Sequence, residues 1–174
     1  METNIIRKII IKYGLIISSI IILWGLVNFL IDNHTVIDFT LIIINLVLYF
    51  MILPLAGIIF GQLAARKAND GIISFGTCLK VGIGIGLIYA LLTTFYTFLL
   101  ANFLDPDYYY VLNENIYDFS SEFPGFIEQY PSKLSFIEQE IEKASKSYPI
   151  SIGIVIFISF IYSSLVGLFV KKSD

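Results

Sequence analysis

The sequence offers two arrangements of residues that match known binding chemistry, and the first is the pair His34 and Asp38. An imidazole nitrogen and a carboxylate oxygen are both metal ligands, and a spacing of four residues would place them on one face of a helix. The chain contains one histidine, so this pair is only a fragment of a metal site. We therefore interpret the segment as a solvated loop and predict no metal ligands.

The second arrangement is the glycine-rich stretch KVGIGIGLIY, residues 80–89. A loop that cradles a dinucleotide has the spacing G-x-G-x-x-G after a strand, followed about 20 residues later by an acidic residue. Here the spacing is G-x-G-x-G, and no acidic residue follows before Asp105. In a helix, Gly82 and Gly86 lie on one face and let a second helix approach closely within lipid. The stretch therefore predicts a membrane helix and no cofactor-binding residues.

The composition of the chain agrees with a location in lipid. Hydrophobic residues make up 57% and charged residues 14%, with a mean hydropathy of +0.83, against about 45–50% and about 25% in a soluble domain. Crossing the bilayer takes about 20 apolar residues in a helix. Runs that qualify occupy residues 14–31, 39–65, 81–104 and 149–170. We predict an all-α polytopic membrane protein, a bundle of four transmembrane helices.

The runs divide the chain into three parts. Residues 1–104 hold the first three transmembrane helices, 105–148 form an acidic extracytoplasmic helical segment between helices 3 and 4, and 149–174 form the fourth helix and a cytoplasmic tail. Lysine and arginine resist translocation, so their positions predict the orientation. They cluster before the first run, between the second and third, and after the fourth: Arg7, Lys8, Lys12, Arg66, Lys67, Lys80, Lys171 and Lys172. Both termini are therefore predicted to be cytoplasmic. The segment 105–148 is acidic, and its negative charge argues against binding to nucleic acid.

Small residues recur four apart in three of the predicted spans, as in helices that pack closely in lipid. They are Gly57, Gly61 and Ala65 in the second, Gly82 and Gly86 in the third, and Ser159, Ser163 and Gly167 in the fourth. We interpret them as helix-packing residues. Packing within one chain is the favoured interpretation, and an interface of a homo-oligomer is the alternative.

Pro54 lies inside the second predicted span, where it removes a backbone hydrogen bond and crowds the carbonyl of Phe50. We expect a kink there, with a gap lined by Asn45 and Tyr49. No ionisable residue lies deep in any span, and such residues usually mark proton relays and ion paths. This argues against a proton-coupled transporter and leaves a path for a neutral solute open.

The acidic segment contains one predicted amphipathic helix. Ser135 and Glu138 have the spacing of a capping box, and the apolar positions recur with helical periodicity. We predict that this apolar stripe packs on the bundle or on a partner, and Leu134, Ile137 and Ile141 are its candidate partner-facing residues. Pro131 and Pro149 are predicted to mark the ends of the helix, and Pro149 to begin the fourth span.

One local motif resembles a known family. The stretch ARKANDGIISFGTCLKVGIGIG, residues 65–86, is similar to the hallmark of the bacterial domain-of-unknown-function family 4199: a basic connection, a turn, and a Ser-Phe-Gly start of the third helix, followed by a lysine and a glycine. The matching positions are Arg66, Lys67, Asn69, Gly71, Ser74, Phe75, Gly76, Lys80 and Gly82. The resemblance implies a small four-helix protein of the bacterial inner membrane, and it implies no mechanism.

These patterns favour a structural or interaction subunit of the cell envelope, whose partners are the lipid bilayer and either a second copy or other envelope membrane proteins. The alternative is a component of a transport path for a neutral solute or ion. An enzyme ranks third, because one histidine and carboxylates at the ends of spans do not assemble a nucleophile, a base and an orienting group. We therefore predict no catalytic residues, no cofactor and no nucleic-acid partner.

Overall fold

The computed structural model describes residues 3–171, and within this range the chain is helical and contains no strand. Lys172, which we assigned to the tail, lies outside the described residues. The prediction of an all-α fold is confirmed. The elements are α1 (Thr3–Leu30), α2 (Phe39–Leu46), a first π-helical segment (Val47–Ile52), α3 (Leu53–Lys67), α4 (Phe75–Leu99), a second π-helical segment (Leu100–Leu104), α5 (Tyr108–Ser120), α6 (Phe126–Gln129) and α7 (Lys133–Val170).

Four helices are long and apolar enough to cross a membrane: Asn4–Leu30, Thr40–Lys67, Phe75–Leu104 and Lys146–Val170. Their outward faces carry large exposed apolar side chains, such as Phe157 at 63% and Phe169 at 86% exposure. A water-soluble bundle of this size would bury such residues, whereas hydrocarbon solvates them. The chain is a multi-pass membrane protein.

The helix α4 lies at the centre of the bundle and packs against α1, α3 and α7. It runs parallel to α1, since Gly84 faces Ile10 while Gly25 faces Tyr96, and antiparallel to α7, where Gly167 faces Cys78. The start of α1 and the end of α7 therefore lie at the same end of the bundle. We call that end of the bundle the near end and the opposite end, which carries α5 and α6, the far end.

The small residues that we singled out lie at contacts between helices of this chain. A Cβ atom at Gly57 would lie 2.9 Å from the Ile17 side chain, and one at Gly61 would collide with Ile85. Ala65 is fully buried. Glycines at these positions let α3 approach α1 and α4 closely.

The contact between α4 and α7 follows the same rule. A Cβ atom at Gly82 would collide with the Ser163 hydroxyl, and one at Gly86 with the Ser159 hydroxyl. Both serines are fully buried. Gln62 of α3, which the sequence did not single out, joins this contact by donating to the Ser163 hydroxyl at 2.9 Å and to two backbone carbonyls.

Pro54 lies at the start of α3, directly after the first π-helical segment. Proline has no N–H and crowds the carbonyl of Phe50. The chain meets this constraint by widening the preceding turn, so that the Leu53 N–H bonds the carbonyl of Leu48, five residues back. We predicted a kink because proline disturbs the ordinary helical turn. The helix instead accommodates Pro54 with a π-helical turn.

The boundaries that we predicted for α7 are wrong at two points. Pro149 does not separate two helices, because α7 runs through it for 38 residues; just before the proline, the Tyr109 and Tyr148 hydroxyls lie 3.0 Å apart. The N-cap is Ser132, whose hydroxyl accepts from the Ser135 N–H, so Ser135 is not the cap.

The segment at the far end has its own small core. Tyr117 of α5 packs against Phe136 and Ile137 of α7, and Ile141 lies against this cluster. Of the three residues predicted to face a partner, Ile137 is 1% exposed and Ile141 partly buried, whereas Leu134 is 58% exposed. The stripe is therefore covered largely by α5 of the same chain, an element that the sequence did not predict.

Candidate functional site

A cavity of about 400 Å³ lies between α1, α2 and α4 toward the far end of the bundle. It forms because α2 packs closely only against the π-helical segment that follows it, so the helix stands away from the rest of the bundle. Most of the polar groups that line the cavity are neutral: Trp24, Asn28, Asn33, Asn45, Tyr49, Thr93, Tyr96, Thr97 and Tyr108, to which His34 adds an imidazole.

Both π-helical segments contribute to the wall of this cavity. Tyr49 and Phe50 come from the first and Leu100 from the second. π-Helical turns are rare and occur often at functional sites, because they turn side chains out of the ordinary helical register. Asn45 and Tyr49, which the sequence placed beside a gap near Pro54, both line the cavity.

Hydrogen bonds between helices fix two of the walls. On one side, the indole N–H of Trp24 in α1 donates to Asn45 Oδ1 in α2 at 2.8 Å. Toward the near end, the Tyr49 and Thr93 hydroxyls lie 3.1 Å apart, and the Tyr89 hydroxyl donates to the Tyr49 carbonyl at 3.0 Å. The cavity is thus closed toward the near end by a hydrogen-bonded floor.

His34 covers the far end of the cavity, and its position corrects the interpretation of its segment as a solvated loop. The His34 side chain is 11% exposed and its Nε2 lies 2.7 Å from Asp105 Oδ2. The ring stacks on Tyr108 with centroids 5.9 Å apart. Asp38 does not join His34 as a ligand; it caps α2 by accepting from the Leu41 N–H at 3.0 Å.

Two buried polar atoms of the cavity lining have no hydrogen-bond partner: His34 Nδ1 and the Tyr96 hydroxyl. A carboxylate only accepts, so in the neutral tautomer that faces Asp105 the proton is on His34 Nε2 and Nδ1 is an acceptor. The Tyr96 ring lies against Gly25, where a Cβ atom would be 2.8 Å from its hydroxyl oxygen. Buried polar atoms are normally satisfied, so these two point to a guest that supplies a donor and an acceptor.

The tyrosines next to the cavity titrate abnormally. Burial raises the pKa of Tyr108, and the nearby Tyr96 and Asp105 add to the effect. Burial also raises the pKa of Tyr109, and its hydrogen bond to Tyr148 adds to the shift. Both hydroxyls therefore stay neutral well into the alkaline range.

Alkaline pH is expected to loosen α5 from α7 through Tyr109. Because its folded-state pKa is raised, its contribution to stability is complete below the ordinary tyrosine value of about 10 and is lost as the pH rises above it. The melting temperature of the wild type should fall more steeply between pH 9 and pH 11 than that of Tyr109→Phe, measured by circular dichroism in detergent. Parallel curves for the two proteins would contradict the assignment.

The sequence predicted only part of this site. Asn45 and Tyr49 were predicted to line a gap near Pro54, whereas Trp24, Tyr96 and Asp105 were not predicted to belong to a site. His34 and Asp105 are 71 positions apart, and no local pattern reveals such a contact. In the described part of the chain, no three histidine, cysteine or acidic residues lie close enough to hold a metal ion.

Comparison with known proteins gives one match. The family described as "Protein of unknown function (DUF4199)" matches residues 12–172, which confirms the resemblance stated from residues 65–86. No curated protein and no solved structure matches the chain. The match covers all four membrane helices and the segment at the far end.

Proposed function

The chain belongs to the DUF4199 family of unknown function, and from this premise we propose that it binds a small neutral solute in the cavity between α1, α2 and α4. The observation that carries the proposal is the pair of buried unpartnered atoms, His34 Nδ1 and the Tyr96 hydroxyl, in a cavity of about 400 Å³. A cavity of this size and mixed lining is typical of small-molecule sites.

The charge of the lining selects a neutral solute. Among residues 3–171, no lysine, arginine or acidic residue lines the cavity, and the imidazole of His34 is engaged by Asp105. Burying an ionised group without a partner is costly. Hydroxyl, amide and carbonyl groups instead find complementary partners in the asparagines, threonines and tyrosines of the wall.

Thr97→Phe is expected to weaken binding at least tenfold, because a phenyl ring would occupy the cavity. Trp24 is the single tryptophan and lines the cavity, so its fluorescence reports occupancy. The titration uses three molecules of similar size: benzyl alcohol, benzoate and benzylamine. The neutral alcohol should bind and the two ions should not.

The matched control is Thr94→Phe, the same substitution at a threonine of α4 outside the lining. It should bind benzyl alcohol as the wild type does. Equal binding of all three molecules, or equal binding by the two variants, would rule out the proposed site.

The transport path that the sequence left open would use this cavity as its binding step. Passage requires the floor formed by Tyr49, Thr93 and Tyr89 to open. A flux assay with benzyl alcohol is uninformative because the alcohol crosses lipid itself, so glycerol uptake into liposomes is the appropriate measurement.

We propose a non-enzymatic role, because His34 has a carboxylate partner but no nucleophile bonded to its other nitrogen in residues 3–171.

A second candidate, an interaction subunit of the cell envelope, is favoured by a separate observation. The tip of the segment at the far end exposes Phe123 at 55%, Ile127 at 45% and Leu134 at 58%. These apolar side chains lie on the part of the chain farthest from the membrane helices, where a partner protein or a second copy would cover them. Crosslinking from position 127 in native membranes tests this candidate, and the absence of any crosslinked protein would count against it.

We also propose that the protein resides in the bacterial inner membrane with both termini in the cytoplasm. The positions of the positive charges support this proposal. Arg66 and Lys67 lie in the last turn of α3, at the near end of the bundle, where α1 starts and α7 ends. A tag at the carboxyl end should be protected from protease in intact cells. Digestion of the tag in such cells would reverse the orientation.

A further inference from the structure

A second depression adjoins the polar cavity and differs from it in chemistry. It is a groove of about 350 Å³ between α1 and the second span. Leu48 and Leu53 form one side of this groove, and α1 forms the other. The surface that lines it is apolar, and two of its residues, Ile21 and Trp24, also line the polar cavity.

The groove opens toward the surrounding lipid. On its α1 side, Ile20 is 48%, Leu23 61% and Val27 50% exposed. The seven steps from Ile20 to Val27 extend about 10 Å along the helix. An acyl chain of the bilayer can therefore lie along the groove, and a group attached to it reaches the cavity when the Trp24–Asn45 hydrogen bond opens.

We infer that the ligand is a neutral single-chain amphiphile taken from the bilayer, with a hydroxylated head group in the polar cavity and its acyl chain in the apolar groove. This inference rests on the proposed function and names the class of its solute. A head-group hydroxyl donates to His34 Nδ1, and a head-group oxygen accepts from the Tyr96 hydroxyl. A phosphate head group fits poorly, because no lysine or arginine in the described part of the chain lines the cavity to neutralise it.

The position of the cavity in the membrane agrees with this class of ligand. His34 and Asp105 lie beyond the ends of the first and third membrane helices, so they mark the level of the lipid head groups. Trp24 lies within α1 at the join between cavity and groove. Such amphiphiles lie in membranes with the hydroxylated head group at the level of the other head groups, here that of His34 and Asp105. Their acyl chain points toward the middle of the bilayer, as it would in the groove.

The test uses quenching of Trp24 in phosphatidylcholine nanodiscs. Monoolein brominated on its acyl chain is titrated against phosphatidylcholine brominated at the same carbons. Bromine quenches tryptophan at contact, so the inference predicts saturable quenching by the monoolein derivative, reversed by unlabelled monoolein. Quenching that rises in proportion to mole fraction and equals that of the phosphatidylcholine would overturn it, since the groove would then hold only bulk lipid.

Two variants test where the acyl chain and the head group of monoolein bind. Val27→Phe should fill the groove and weaken monoolein binding at least tenfold, whereas Leu165→Phe, at an equally exposed position on α7, should not. Thr97→Phe, which fills the cavity, should weaken it as well. Monoolein binding that survives either Val27→Phe or Thr97→Phe unchanged would overturn the inference.

The failure of this inference is distinguishable from the failure of the proposed function. Benzyl alcohol needs only the polar cavity, so it should still bind to Val27→Phe. Binding of benzyl alcohol without saturable binding of monoolein overturns the amphiphile and leaves the neutral-solute site standing. The absence of binding by both molecules overturns both.

Discussion

Gly86→Leu is expected to prevent α4 from packing against α7, with loss of about 3 kcal/mol of unfolding free energy, the upper end of what overpacking costs. A Cβ atom at Gly86 would already collide with the Ser159 hydroxyl, and Ser159 is fully buried. The colliding atoms are Oγ and Cβ of Ser159, and the Cβ atom cannot move away unless the backbone of α7 moves with it. Thermal unfolding in detergent, followed by circular dichroism, measures the effect.

Gly153→Leu is the matched control for this prediction. Gly153 lies in α7, and a Cβ atom there would have no neighbour within 4 Å. The substitution should leave the melting temperature nearly unchanged. If Gly86→Leu kept the wild-type stability and only altered the oligomeric state, the glycines would serve an interface between copies and the packing within one chain would be disproved.

Ile137→Ala is expected to cost about 2–5 kcal/mol in the segment at the far end, the range for truncation of a buried aliphatic side chain. Ile137 is 1% exposed and belongs to the small core with Tyr117 and Phe136. This core lies outside the membrane helices, so the loss should appear as local opening of α5. Hydrogen exchange of α5 amides should accelerate, while exchange in the membrane helices stays as in the wild type.

Leu134→Ala provides the comparison, because Leu134 lies on the same stripe and is 58% exposed. Its effect on α5 exchange should be small. Equal acceleration by the two substitutions would show that the stripe is not buried by α5. It would restore Ile137 to the partner-facing surface that the sequence predicted.

The sequence was sufficient for the membrane helices because the physics that selects them is local. Length and apolarity alone decide whether a segment crosses hydrocarbon, and the spacing of Gly82 and Gly86 requires only the helical period. The loss of a backbone N–H at Pro54 is equally local, so a disturbance there was foreseeable. Whether a kink or a π-helical segment would relieve it depends on neighbouring helices and was not.

The site escaped prediction because its contacts join distant parts of the chain. His34 meets Asp105, and Gln62 meets Ser163, across separations of 71 and 101 positions. Nothing near Gln62 in the sequence shows that it faces α7. The end of the amphipathic helix was predicted wrongly because a proline usually ends a helix, whereas α7 runs through Pro149.

The two π-helical segments have a consequence for variation among related chains. In a helix of 3.6 residues per turn, removing one residue rotates everything beyond it by about 100°. Deletion of Met51, which does not line the cavity, would restore an ordinary turn and rotate Asn45 away from Trp24, with every lining residue still present in the chain. If the proposed site binds a solute, single-residue insertions and deletions in these two segments would change its specificity while the lining amino acids stay the same.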